Sequence, residues 1–402
     1  MKVWTHAMAL GLMAGFLTSC APGGLQFGSR TLSFPFPMAD VGTGSPMPQA
    51  STPAERFGRG PVSVALLLPL SGDPALASAG RAMANASRLA VDFINANPNI
   101  GENIAISLRD TGGTAAGAGN AAGAASAEGA KLILGPLTGD AMRAAGTVAR
   151  AAGIPLIGFS NNAAAAGNGV YVLSVLPEQQ MKRALSYLMA QGRRGPAGIF
   201  PATPYGEAMA KAFRQQAIAV GFNPQAVYTF SSPNEAAAIM AQARPLIERG
   251  MIDMLFIPDR TSAAAFGAAL AQAGIGSEDV QLVGSADWAG DPALFAVPAL
   301  QGAIFPAVDE SGLRAIAPDY QARFGASPPP MATIAYTATI LANVNTLSLA
   351  SPPYDRAALT NPAGFNGRDG LFRFLGDGRS EYALAIRKIG NGGAVMLEGP
   401  RL

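Results

Sequence analysis

The chain has 402 residues, with one histidine, His6, and one cysteine, Cys20, both within the first twenty. Beyond residue 20 there is neither an imidazole nor a thiol. That excludes Ser-His-Asp and Cys-His nucleophiles, Cys/His zinc sites and a disulfide framework. What remains are small polar and aromatic residues and acids that directly follow apolar runs. Ser71, Thr138, Ser160 and Asn162 stand in the first half; Tyr205, Asp287 and Trp288 stand in the second. Hydroxyls and amides so placed can bind a ligand, but they do not assemble a nucleophile with its base. A hydrolase using carboxylates such as Asp73, Asp110 or Asp287 survives on paper, yet no spacing brings two of them to a common site. Gly112-Gly113-Thr114 lacks the Lys-Ser/Thr ending of a phosphate loop. The expectation is a non-enzymatic chain without cofactor or metal.

The elements that must position these residues alternate regularly. Val62 to Leu68 is a continuous apolar run with β character, and Pro69-Leu70-Ser71-Gly72 ends it. From Leu76 to Asn95, Ala79, Met83, Ala86, Leu89, Ala90 and Phe93 recur at helical spacing. Strand-like Ile104–Leu108, a helix to Glu128, a strand Lys131–Leu134, a helix Ala141–Ala152 and a strand Ile154–Gly158 continue the pattern. A second series starts near Pro177, with strands at 197–200, 226–230, 253–257, 280–283 and 302–306 between helices. Helices over 313–324 and 332–349 and strands over 371–374 and 382–389 complete the chain. Buried strands alternating with amphipathic helices predict α/β architecture: two doubly wound lobes, each a parallel sheet covered on both faces. Ligands of such sheets sit beyond the carboxyl ends of the strands, where loops feed helix N-termini. Each candidate also has a structural alternative. Ser71 and Thr138 could be helix caps, Ser160 and Asn162 turn residues and Tyr205 a core lid, while Trp288 is the best single candidate for a cleft or partner contact.

Composition narrows the setting. Apolar residues make up 49% and charged residues 13%, with a formal charge of +2. No basic cluster exceeds Arg193-Arg194 or Arg387-Lys388, so nucleic-acid binding has no support. Ala7 to Leu17 is an apolar run of signal-peptide length, and Leu17-Thr18-Ser19-Cys20 resembles the lipobox of bacterial lipoproteins. That resemblance implies cleavage before Cys20 and attachment to a membrane through lipid on its sulfur alone. Residues 1–20 are thus expected to be a lipoprotein signal peptide. Residues 21–60, rich in Pro, Gly and Ser, are expected to form a flexible tether. Ala21, and not Asp, follows the cysteine, a sorting pattern implying a periplasmic protein held at the outer membrane.

From residue 61 onward the chain resembles the type I periplasmic binding proteins, especially the leucine/isoleucine/valine-binding branch. The segments that carry the resemblance are Val64-Ala65-Leu66-Leu67-Leu68-Pro69-Leu70-Ser71-Gly72, Leu89–Asn95, Ile133-Leu134-Gly135-Pro136-Leu137-Thr138, Gly153–Ile157, Tyr205-Gly206 and Ala335-Tyr336. It implies three hinge crossings, near Val175, Val308 and Phe374. The N-terminal lobe is then 61–175 plus 309–374, and the C-terminal lobe 176–308 plus 375–402. It also implies that Ser71, Thr138, Ser160, Asn162, Tyr205, Asp287 and Trp288 line the cleft.

Departures from the amino-acid-binding pattern stand at three places. Gly139 replaces a hydroxyl, Ser160-Asn161-Asn162 replaces a Ser-Ala-Thr type sequence, and Ala286 stands where an acid is usual, with Asp287 one place late. Leu68–Gly72, Leu134–Thr138, Phe200–Gly206 and Gly284–Trp288 are similar to the C-terminal domain of lipoproteins that activate penicillin-binding proteins. That similarity makes an envelope regulator partnered with a peptidoglycan synthase the first expectation. A receptor that delivers an amino acid or related small ligand to an ABC permease is the second.

Overall fold

The structure is a computed structural model that describes residues 26–27, 30–31, 54–390 and 392–402. Cys20, the signal peptide and nearly all of the expected tether lie outside the described residues. Contacts divide the chain into residues 1–50 and 51–402. Gln26–Phe27 and Arg30–Thr31 pair antiparallel in the former; everything below concerns the latter.

Two sheets organise residues 51–402. The first holds β1 (Glu55–Phe57), β2 (Val62–Leu68), β3 (Ile104–Asp110), β4 (Leu132–Leu134), β5 (Leu156–Gly158) and β6 (Val170–Val172), in the order β1-β3-β2-β4-β5-β6. All neighbours are parallel except β1, which runs antiparallel to β3. The second holds β7 (Pro196–Pro201), β8 (Ala226–Phe230), β9 (Met254–Phe256), β10 (Gln281–Val283) and β11 (Ile304–Ala307), which are parallel, in the order β8-β7-β9-β10-β11. A small antiparallel sheet follows, of β12 (Phe365–Gly367), β13 (Gly370–Phe374) and β14 (Ser380–Tyr382). Then β15 (Leu384–Gly390) adds antiparallel to β11 and β16 (Gly393–Arg401) antiparallel to β15, and β16 is the edge, exposing Val395 and Met396.

Burial on both strand faces explains the continuous apolar runs. Along β2, Val62, Val64, Leu66 and Leu68 enter one core while Ala65 and Leu67 enter another. In β4, Leu132 and Leu134 join the first and Ile133 the second. In the other sheet, Leu255 and Ile257 face one core while Met254 and Phe256 face its counterpart. The period of two is the pleat itself, with apolar residues on both faces because helices cover both. The covering helices include α1 (Pro74–Ala96), α2 (Ala115–Ala127), α3 (Gly139–Ala151), α4 (Pro177–Ala190), α5 (Pro204–Val220), α6 (Ala236–Glu248) and α7 (Arg260–Gln272). After β11 come α8 (Ser311–Phe324) and α9 (Ala332–Asn343).

The first core reaches far along the sequence. It joins Val62 and Met83 to Tyr320, Tyr336, Phe372, Phe374 and Tyr382. The chain therefore passes from the first sheet to α4 through Leu173–Leu176 and returns through Val308–Glu310. The third passage is at Ala383, between β14 and β15, and not near Phe374. The reason is packing: Phe374 lies 5.3 Å from Tyr171 across ring centroids, and Phe372 stacks on Tyr382, so β13 and β14 stay with the first lobe. The tether also ends before residue 60. Glu55–Phe57 forms an edge strand, with Phe57 packed against the first core and Glu55 paired with Arg88 at 2.7 Å. The helix expected over 332–349 breaks at Val344, whose ψ of 125° is extended.

One acid is buried where these passages meet. Asp369, in the turn between β12 and β13, is 8% exposed. Burial pushes its carboxyl up to about 7, against a bond from Thr333 and with help from the charge of Asp309. An unfolded Asp titrates near 4, so the folded state holds the proton between about pH 4 and 7 and stability falls as pH rises through that window. Asp369→Asn removes this fall. Calorimetric melting should show the variant gaining about 3 °C or more on the native chain at pH 8 relative to the difference at pH 5; equal differences at both would refute it.

Candidate functional site

The carboxyl ends of β2, β4 and β5 in the first lobe, and of β7, β9 and β10 in the second, each carry a polar loop. After β2, the helix cap is Asp73 and not Ser71: the Asp73 carboxylate accepts from the Leu76 N–H at 2.9 Å, with Pro74 preset at the first helical position. The Ser71 loop is held instead by Asp110 at the end of β3. Its Oδ1 accepts from the amides of Leu70 (2.8 Å), Ser71 (3.3 Å) and Gly112 (2.7 Å). Partial burial acts to raise the Asp110 pKa, but the Ser71 hydroxyl and these amides together hold it below the ordinary carboxylate value.

Thr138 takes the cap position of α3 with extended backbone, yet its side chain makes no capping bond. Its hydroxyl is not spent on the helix. Ser160 is buried, and its Oγ accepts from the Asn162 N–H at 3.1 Å; Asn162 Oδ1 in turn accepts from Ala164 N–H at 3.0 Å. The two loops fit one another. A Cβ on Gly139 would sit 3.0 Å from Asn162 Nδ2, so the missing side chain at 139 makes room for the larger one at 162. Two departures from the amino-acid-binding pattern are thus one compensating pair.

In the second lobe, Thr203 caps α5 by accepting from Gly206 N–H at 3.2 Å, and Asp259 caps α7 by accepting from Ser262 N–H at 3.0 Å. Tyr205, in the first turn of α5, donates to Asp287 Oδ2 at 3.0 Å. Burial, reinforced by the Asp287 charge, raises the Tyr205 phenol far above its usual range, so it is a permanent donor. Asp287 is exposed and is presented by Ser285, whose Oγ donates to Pro258 O at 2.7 Å and accepts from Asp287 N–H at 3.3 Å. Trp288 is a correction. It is fully buried in the second lobe's core, 6.4 Å from Phe305 between ring centroids, and its ring fills the space a side chain on Gly284 would need. It is a structural residue and not a cleft wall.

The structure brings Thr138 and Asn162 together on one side, and Tyr205 and Asp287 on the other. Among the described residues no hydrogen bond joins the two sets. Cavities of about 190, 360 and 340 Å³ form elsewhere and are lined by none of the seven candidates. Asp73 and Asp110 are occupied by backbone amides, and Asp287 follows a strand of the other sheet, so these three acids do not share a site. Among the described residues there is no group of three His, Cys, Asp or Glu suited to a metal, and no helix is long and apolar enough to cross a membrane. Sequence reasoning missed Asp110 and Ser285 as the groups that hold the loops. Asp73-Pro74 was readable as a cap and first helical residue; Ser285 gave no signal.

With these two sheets and their loops, the chain matches a family model described as periplasmic binding protein over residues 61–374. The chain belongs to the periplasmic binding protein family. No curated protein sequence matches it. Among solved structures it is similar to a putative branched-chain amino acid ABC transporter protein from Rhodospirillum rubrum, with 20% identity, a TM-score of 0.71, and 84% of this chain and 99% of that one covered. It is also similar to the branched-chain amino acid substrate-binding protein LivJ from Streptococcus pneumoniae, solved with isoleucine (20% identity, TM-score 0.58, 84% and 99% covered). A solute-binding protein from Rhodopseudomonas palustris, solved with benzoate, gives 19% identity and a TM-score of 0.59, with 85% and 98% covered. At these identities the likeness shows the fold, the two-lobed type I architecture of substrate-binding proteins.

The Gly284–Trp288 contact is directly testable. Gly284→Ala forces a methyl group into the indole and should destabilise by about 1–3 kcal/mol. Gly119→Ala, in α2 with only Ala144 Cβ at 4.0 Å, should be neutral or stabilising. Thermal melts of the two variants check the contrast.

Proposed function

We propose that this protein is a solute receptor whose lobes close on a small carboxylate-bearing ligand, an amino acid or a close relative, for delivery to an ABC permease. The observation that carries this reading is the Tyr205–Asp287 pair. It supplies an exposed acid on the second lobe although Ala286 occupies the expected place. Opposite it in the ligand's polarity stands the Thr138 hydroxyl at the N-terminus of α3, where helix amides favour a carboxylate. The fold neighbours, several of them amino-acid or benzoate binders by name, favour uptake over the order of preference drawn from the sequence motifs. Titration calorimetry with L-leucine, L-isoleucine, L-valine, L-alanine and benzoate tests the proposal. A ligand at 100 times its Kd should add about 2.7 kcal/mol of stability, and Asp287→Asn should weaken amino acids more than benzoate. A panel without heat or thermal shift would overturn it.

The regulator reading keeps one specific support, the Ala21 that follows Cys20 and implies the outer membrane, away from an inner-membrane permease. Both readings use the lipid hook. Labelled palmitate should mark the native chain and not Cys20→Ser. Recovery of a peptidoglycan synthase on the anchored protein, with a changed synthase rate, would favour regulation.

A further inference from the structure

Two adjacent glutamines open α4, immediately after the first passage between lobes. Gln179 Oε1 accepts from the Tyr382 N–H at 3.1 Å, at the third passage. Gln180, 6% exposed, turns the other way: its Oε1 accepts from the Ala286 N–H at 2.8 Å, in the loop that presents Asp287. The remaining backbone and hydroxyl bonds of that loop are internal to the second lobe's sheet or to the loop itself, while the Asp287 carboxylate accepts from Tyr205 of α5 at 3.0 Å. Gly284 N–H donates to Ile304 O, Asp287 N–H to Ser285 Oγ, and Trp288 N–H to Ser285 O. Ser285 Oγ reaches Pro258 O in the loop after β9. Among these bonds, the one at Ala286 alone reaches out to α4.

We propose that Gln180 is a positioning residue for the binding loop, setting the aim of Asp287 through the Ala286 amide, and that Gln179 registers the same helix turn against the hinge strand. The first turn of α4 then links hinge and half-site within two residues. Only the direction Asp287 takes toward a ligand rests on the receptor reading; the mechanical link does not. The departure at position 286 fits this use. A small Ala there lets its amide approach the buried glutamine oxygen, and the acid moves one place on, where Tyr205 meets it.

The experiment is amide exchange and indole NMR on the full chain, without ligand, for Gln180→Met, Gln180→Glu and Gln179→Met. Methionine keeps the shape and removes the strong acceptor; glutamate keeps an oxygen at the same reach. Gln180→Met should speed exchange of the Ala286 amide about tenfold, the order expected for losing one buried hydrogen bond. It should also shift the Trp288 indole resonance while leaving the core amides of Leu255 and Leu282 unchanged. Gln180→Glu should restore both signals, and Gln179→Met should release the Tyr382 amide alone. Unchanged Ala286 exchange in Gln180→Met, or equal acceleration at Leu282, would overturn the proposal. In parallel, L-leucine titration of the same variants separates the two ideas. If leucine binds the native chain, Gln180→Met should weaken it about tenfold and Gln180→Glu much less; unchanged affinity would refute the aiming role. If leucine and the rest of the panel fail on the native chain, the receptor reading falls while the exchange result still decides the link.

Discussion

A parallel strand buried on both faces has nowhere to present polar groups except its ends, and this constraint governs the molecule. Val62 to Leu68 gives alternate side chains to two separate cores, so no side chain inside the strand is available to a ligand. Function is pushed into the turns that follow, where Asp73, Thr138, Thr203 and Asp259 stand at the starts of helices. The same constraint acts twice, once per sheet, and so makes two sets of polar loops. Among the described residues the backbone runs between the two sheets at three places, after β6, after β11 and after β14.

Much of the architecture was legible because this burial writes long apolar runs. β2, β3 and the helices on either side have continuous or helical periodicity over many residues, and they occur where expected. The segments that escaped are short or lack contrast. Val170–Val172 is a three-residue strand wedged between Gly169 and the first passage. Gly393–Arg401 is an exposed edge with glycines and Pro400 inside it, so no alternation marks it. Glu55–Phe57 looks polar in a Pro- and Gly-rich stretch; only its partner Ile106–Leu108 makes it a strand. The third passage, expected near Phe374 from the resemblance, lies beyond β14 because the Phe374 ring is claimed by Tyr171, a contact distant in sequence.

The site was legible by location more than by role. Strand ends followed by Ser, Thr or Asn mark loops at helix starts, since turn chemistry is local. What each side chain does depends on neighbours far along the chain. Asp110, more than forty residues beyond β2, takes the amides of the Ser71 loop. Trp288 misled because tryptophan is amphipathic and rare here, while its burial depends on the empty space at Gly284 and on Phe305. The acid lost at 286 and regained at 287 could be placed only with Tyr205 in view.

The reach of the first core, from Val62 to Tyr382, sets a temporal order on the molecule. A nascent chain emerging from its N-terminus can build the opening sheet early, yet the aromatic rings that seal it lie far downstream in the sequence. Long-range closure of this kind is slow, so the half-made polypeptide stays loose until β14 has been made. Truncation just before β14 would therefore leave the first lobe without Tyr382 and the second sheet without β15, so that neither is sealed.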